Sequence, residues 1–419
     1  MYNGIVKKVV NHTVFKNSLA LMILQFSNVI APILVLPYLT RTLGIEGFGL
    51  VMIALSISSF FVVITDFGFN LSATHLISEN IGNVKYINNL ISVIYIIKIT
   101  IISLLLIATL FISNFFEVFN SLDFYYIFYI FLNVSMLTLL PTWLFQAIEK
   151  MKYITIYVSL SKIIYLILIL FFINNGNDGP NVVLFLALSN SIGLLVSFYL
   201  MYSFGYRVIL PVSFYENLSI AKYSSKFFIS RFAVTIYTTL STFIVGNGAG
   251  VQQAAIYGAS EKLYQASQTI TGTISQALFP HMVKNKESQL LFYVTLILGT
   301  VMAFAFTVIW SFADVIVTFI FGDSFSDSIP VFKCFLIISF VNLISVNYGY
   351  PAFSTINRIQ FANYTTYVGA VIQIIALSFL YVKDNISALN VTYSILLTEV
   401  SVMLLRVFFY YKFKRKYVS

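Results

Sequence analysis

Eight charged residues fall where an apolar chain should carry none. Lys98, Lys162, Arg231, Lys262 and Arg406 lie inside long hydrophobic runs, and so do Asp66, Glu261 and Glu399. On insertion scales a charge at the centre of a membrane-spanning helix costs roughly 2.5–3.5 kcal/mol, so each needs a partner or a task. The chemistry open to them is ionic. Lys98, Lys162, Arg231 and Lys262 sit deepest among the cations, and around a water-filled cavity they would attract an anion, above all a phosphate. Asp66 and Glu399 either neutralise basic neighbours or carry a coupling proton or sodium ion. Glu261 and Lys262 are adjacent, so they point in different directions and do not pair along a helix. Arg406 stands about a turn and a half from the basic C-terminal tail and is expected to snorkel to the interface.

Other chemistries find no residues. The single Cys334 excludes an internal disulfide and a cysteine-rich metal site, and His12, His75 and His281 are too scattered for a zinc motif. No phosphate-binding G-x-x-x-x-G-K-[ST] loop is present. No catalytic group, metal or cofactor is expected. The formal charge of +9 does not mark a nucleic-acid binder, because the basic residues are spread over many loops and form no patch.

The elements that must position these charges are membrane helices. Hydrophobic residues make up 59% of the 419 residues and charged residues 9%, where a soluble domain carries about a quarter. Apolar runs of helix length recur along the whole chain, and roughly 20 such residues cross a bilayer. The runs predict about twelve spans, at roughly 17–39, 48–76, 87–112, 122–147, 150–174, 180–204, 222–246, 251–280, 288–312, 327–352, 359–381 and 386–411. No loop is long enough for a soluble domain. The polar, basic N-terminus precedes a run too long for a signal-peptide core, so the first span is expected to stay as an anchor.

An even number of spans puts both termini on one side. Lys7, Lys8, Lys16, Lys85, Lys150, Lys152, Arg207, Lys222, Lys226, Lys284, Lys286, Arg358 and the basic tail share that side; only Arg41, Lys333 and Lys383 lie opposite. Both termini are therefore expected in the cytoplasm. The longest polar stretch, 203–226, divides the chain into two six-helix bundles, 1–210 and 211–419. An offset of about 209 residues aligns Gly49 with Gly258 and Ser58 with Ser267. Two such bundles predict an all-α polytopic protein with a V-shaped central cavity, and the embedded cations are expected to face it.

Pro32 and Pro37 in the first span, and Pro141 in the fourth, each remove a helix hydrogen bond. Each is a candidate hinge or a static kink. Gly44, Gly47 and Gly49 permit a tight outer turn between spans one and two, with Arg41 at its mouth.

The stretch LPYLTRTLGIEGFG (36–49), followed by ITDFGFNLSATHLIS (64–78), resembles the opening of the O-antigen flippases, the Wzx proteins. These belong to the polysaccharide transport family of the multidrug/oligosaccharidyl-lipid/polysaccharide exporter superfamily. GAGVQQAAIYGASEKLYQA (248–266) and TISQALFPHM (273–282) resemble the matching segment of the second half. The resemblance implies a multi-pass protein of the bacterial inner membrane. It implies a cationic lumen, alternating access and an undecaprenyl-diphosphate-linked O-antigen unit as cargo, moved from the cytoplasmic to the periplasmic leaflet. It supports Arg41 and Asp66 as motif residues. A polysaccharide polymerase and a chain-length regulator are the expected partners. The alternatives are a drug/cation antiporter of the same superfamily, which would favour acidic cavity residues, and a membrane polymerase or glycosyltransferase, which would need a large outer loop.

Overall fold

In a bilayer every backbone polar group must be satisfied within its own segment, so apolar runs of this length fold as helices. A computed structural model describes residues 13–209, 214–286 and 288–418. Among them the regular structure is helical. The order is α1 (Thr13–Asp66), α2 (Phe69–Glu79), α3 (Val84–Ile112), α4 (Val118–Ser121), α5 (Phe124–Thr138), α6 (Thr142–Ala147), α7 (Met151–Phe172) and α8 (Gly179–Ser203). After these come α9 (Phe214–Thr239), α10 (Ser241–Ala249), α11 (Val251–Asn285), α12 (Ser288–Ser311), α13 (Ala313–Phe321), α14 (Ser328–Asn347), α15 (Tyr350–Thr355), α16 (Gln360–Val382) and α17 (Ala388–Val418).

Nine stretches among the described residues are long and apolar enough to cross a membrane. The first, Met22–Glu79, is long enough for two passes and contains both opening spans. The seventh and eighth expected spans form α9 to α11 but are not among the nine. Gln252, Gln253, Ser260, Glu261, Lys262, Gln265 and Gln268 make α11 too polar to count.

α1 is two helices in sequence. Its backbone leaves helical dihedrals at Gly44 (φ 67°, ψ −177°), and Pro32 and Pro37 both lie inside its first arm. The turn between the first two spans is therefore made at Gly44, where a Cβ would be strained. Gly49 serves another purpose: a Cβ there would stand 2.2 Å from the Val251 carbonyl oxygen, so only glycine allows the two backbones to approach.

The chain forms two compact units. Unit 1 comprises Met1–Ala31 and Ala54–Thr235, and unit 2 comprises Pro32–Ile53 and Ile236–Ser419. Unit 1 is built on a buried cluster that includes Phe69, Ile91, Trp143, Phe145, Tyr157 and Met201. Unit 2 has two clusters, one with Tyr257, Phe335 and Val391, the other with Met282, Phe353 and Tyr410. The middle of α1, Pro32–Ile53, belongs to unit 2. Beyond Gly49, Ile53 meets Gly246 and Met52 meets Gly258 within van der Waals reach.

Candidate functional site

Several helices are interrupted inside their expected spans, and two of the breaks fall at a proline. In unit 1, α5 stops at Thr138 and α6 starts at Thr142, because Pro141 has no N–H to continue the ladder. In unit 2, α14 stops at Asn347 and α15 starts at Tyr350, with Pro351 in its first turn. Two of the embedded cations, Lys98 and Arg406, reach these breaks.

Lys98 on α3 is 2% exposed. Its Nζ donates to the Thr138 carbonyl at 2.8 Å. The charge that acts on it is Asp66, at the end of α1. Thr65 and Thr138 share a hydroxyl hydrogen bond of 2.6 Å. Just beyond Asp66 the chain turns through Phe67 (φ 47°) and Gly68 (φ 79°) into α2. Asn70 then accepts from the Thr142 hydroxyl at 3.0 Å, and Thr74 donates to the Trp143 carbonyl at 3.2 Å. The D-F-G-F-N segment is thus the seat of the broken helix. Gly68 also lies against α9, where a Cβ would come within 2.7 Å of Ser224 O and Phe228 N. Beside it, Ser72 and Ser224 are joined at 2.7 Å.

Lys162 on α7 is half-buried and engaged by a neighbouring group. The side chain of Arg231 lies outside the described residues. Lys262 is half-buried, and its Nζ donates to Gln265 at 3.2 Å.

Unit 2 holds a cavity of about 180 Å³, lined by Thr239, Tyr257, Glu261, Tyr264, Gln265, Gln268, Phe335, Ile395 and Glu399. Its two carboxylates are 7% and 8% exposed. Glu261 accepts from the Thr242 hydroxyl at 2.8 Å, and Glu399 accepts from Asn342. No basic side chain is among the lining residues. Sequence spacing separates Glu261 from Lys262 but does not reveal that Glu261 and Glu399, on different helices, share one cavity.

Arg406 departs from its sequence expectation. It does not snorkel to the interface. Its Nε donates to the Thr365 hydroxyl at 3.1 Å and its Nη2 to the Thr366 hydroxyl at 3.0 Å. Its Nη1 reaches the Ser345 carbonyl at 2.8 Å and the Ser345 hydroxyl at 3.1 Å. Four internal acceptors outweigh the attraction of the basic tail. Arg41 is likewise committed: its Nη2 donates to the Phe319 carbonyl in the last turn of α13, a position favoured for a cation by the helix dipole. Glu46, just past the turn at Gly44, accepts from Gln252 at 3.1 Å.

Residues 14–286 match the family described as polysaccharide biosynthesis protein. A relative in Shigella dysenteriae named "Putative O-antigen transporter" is 28% identical over 269 residues, 64% of this chain and 67% of the relative. A multidrug resistance MATE family transporter of the MOP superfamily, inward-facing, superposes with a TM-score of 0.67 at 11% identity, over 95% of this chain and 98% of that one. The lipid II flippase MurJ, inward closed, gives 0.65 at 12% identity, over 94% and 86%. At these identities the last two likenesses are of fold, the 12-helix, two-bundle fold.

Proposed function

Because this chain belongs to the polysaccharide biosynthesis protein family, we propose that it is a flippase for an undecaprenyl-diphosphate-linked O-antigen or related polysaccharide repeat unit. It carries the unit from the cytoplasmic to the periplasmic leaflet of the bacterial inner membrane by alternating access, with both termini in the cytoplasm. It is a transporter and not an enzyme. The observation that carries this reading is the family match over residues 14–286, joined to the likeness to an O-antigen transporter.

The division into bundles 1–210 and 211–419 belongs to the same proposal, with a lumen lined by the embedded cations. Lys162, Arg231 and Lys262 meet the diphosphate. Lys98 would have to release the Thr138 carbonyl before it could join them. Pro32, Pro37 and the turn at Gly44, Gly47 and Gly49 gate the outer end, with Arg41 steadying it. The sugars find hydroxyl, amide and aromatic partners, and the polyprenyl tail stays in lipid. A polymerase and a chain-length regulator receive the product. Moving one negative charge outward down an inside-negative potential yields roughly 2.3 kcal/mol per 100 mV, and Asp66 or Glu399 supplies an ion-coupled route beside it.

The test is surface polysaccharide in a strain lacking its own flippase, with protein level measured alongside. Lys162→Ala and Arg231→Ala should cut export at normal abundance. Lys162→Arg should be milder but not silent, because a planar fork replaces a point donor. Normal polysaccharide from a Lys162, Arg231, Lys262 triple Ala variant would end the cationic-lumen reading.

One observation favours a second reading. The Glu261 and Glu399 cavity is acidic, as a drug/cation antiporter would need. Extrusion of a lipophilic cation without any effect on surface polysaccharide would move the function to that class.

A further inference from the structure

The two helices interrupted at a proline match in more than their interruption. Pro141 and Pro351 stand about 210 residues apart, the spacing that also relates the two halves of the sequence. Each break leads into a six-residue helix, α6 in unit 1 and α15 in unit 2. The two helices close alike. Past Glu149 (φ 56°) the Lys150 N–H donates to Phe145 O at 2.8 Å, and past Asn357 (φ 55°) the Arg358 N–H donates to Phe353 O at 2.9 Å.

A break inside a membrane helix leaves a carbonyl whose ladder partner has moved away, and lipid offers no substitute. Both breaks solve this in the same way. In unit 1 the Thr138 carbonyl takes the ammonium of Lys98 at 2.8 Å. In unit 2 the Ser345 carbonyl takes the guanidinium of Arg406 at 2.8 Å. Each cation arrives from another helix, α3 in one case and α17 in the other. Each answers to one buried carboxylate, Asp66 for Lys98 and Glu399 for Arg406. At Gly349, inside the second break, a Cβ would stand 3.2 Å from Arg406 Nη1, so a bare backbone leaves the guanidinium its place.

We propose that Lys98 and Arg406 are matched positioning residues, one in each unit, that clamp the broken helices α5–α6 and α14–α15 by capping the carbonyl each break exposes. At each break a charged side chain then takes the carbonyl that a continuous helix would pair within its ladder. Proline sets the break and the cation holds it.

Hydrogen exchange on the purified full-length protein tests this without reference to any cargo. Lys98→Met should speed amide exchange in 139–147 by about tenfold or more, the factor expected from losing one charge-assisted hydrogen bond, and leave 348–355 unchanged. Arg406→Met should do the reverse. Lys98→Arg should keep protection near that of the parent. Pro141→Ala, placed on Lys98→Met, lets the helix close through 139–142 and should restore protection. If Lys98→Met alone cannot be recovered, the yield of the Lys98→Met/Pro141→Ala protein is read in its place, and parental yield supports the clamp. Unchanged exchange in 139–147, equal acceleration of both segments, or no rescue by Pro141→Ala would each overturn it. A protein that exports no polysaccharide yet passes this test refutes the flippase reading and leaves the clamp standing.

Discussion

Lys98 and Arg406 differ from Lys262 in what they hold. The first two end on backbone carbonyls, and Lys262 ends on a glutamine side chain that can give way. Removing a group that caps a buried carbonyl leaves that carbonyl unsatisfied, which costs more than the bond itself was worth. Lys98→Ala should therefore lower thermal stability in detergent, whereas Lys262→Ala should change it little and act on transport alone. Equal Tm losses for the two would remove the distinction. The carboxylates give a second prediction at this scale. Glu261→Gln and Glu399→Gln keep the shape and hydrogen-bonding capacity of the cavity and remove its charge. If the cavity couples an ion, either variant should free export from its dependence on the ion gradient. If Glu399 only balances Arg406, export should fall with that dependence intact.

At the scale of elements, glycine contacts divide by what lies opposite. At Gly49 the opposing atom is the Val251 carbonyl oxygen, 2.2 Å from where a Cβ would be; at Gly258 it is the Met52 side chain, with Cε 2.7 Å and Cβ 3.0 Å away. Methionine adapts and backbone does not. Gly49→Ala should cost about 1–3 kcal/mol by overpacking, Gly258→Ala distinctly less. Gly272 has nothing within 4 Å, so Gly272→Ala in α11 should be neutral or stabilising. Thermal scans of the three purified variants check the order.

The same scale separates what the sequence discloses from what it hides. Span ends are legible because lipid demands an apolar run and loops collect charge: residues 288–312 and 359–381 are expected as spans, and α12 and α16 are found at Ser288–Ser311 and Gln360–Val382. Pro141 is readable as a kink, and the break is there. The break before Tyr350 is not anticipated, because Gly349 and Pro351 lie among residues that read as one apolar run. The short helix Ala313–Phe321 is hidden by its likeness to the end of a span. Arg406 is misread because its acceptors, Ser345, Thr365 and Thr366, come from other helices, and sequence spacing carries no record of such partners. Glu261 and Glu399 are missed as a pair for the same reason.

At the scale of the whole molecule, orientation and assembly can be tested apart. Lys and Arg predict that reporters fused after Lys85, Lys152, Arg207 and Lys286 read cytoplasmic, and those after Glu46, Asp123 and Asp178 periplasmic. Inverted signals at two or more sites would sink the assignment. Division of the chain near residue 210 tests assembly. Each fragment keeps a piece that packs in the other's unit: Pro32–Ile53 lies in unit 2, and α9 up to Thr235 lies in unit 1. The two fragments made together should accumulate and export, and each made alone should be degraded. Stable accumulation of either by itself would contradict this.

That exchange of segments also sets a timetable for synthesis. The arm containing Gly49 leaves the ribosome well before the residues it packs against. Its packing partners, Gly246 to Gly258, are translated some two hundred residues later; at about 5–20 residues per second the wait is on the order of 10–40 seconds. During that interval a glycine-bare helix face stands in the bilayer with no protein against it. A segment made in the first half is thus packed only when the second half arrives, and until then the nascent chain depends on lipid, or on the insertion machinery, to shelter it.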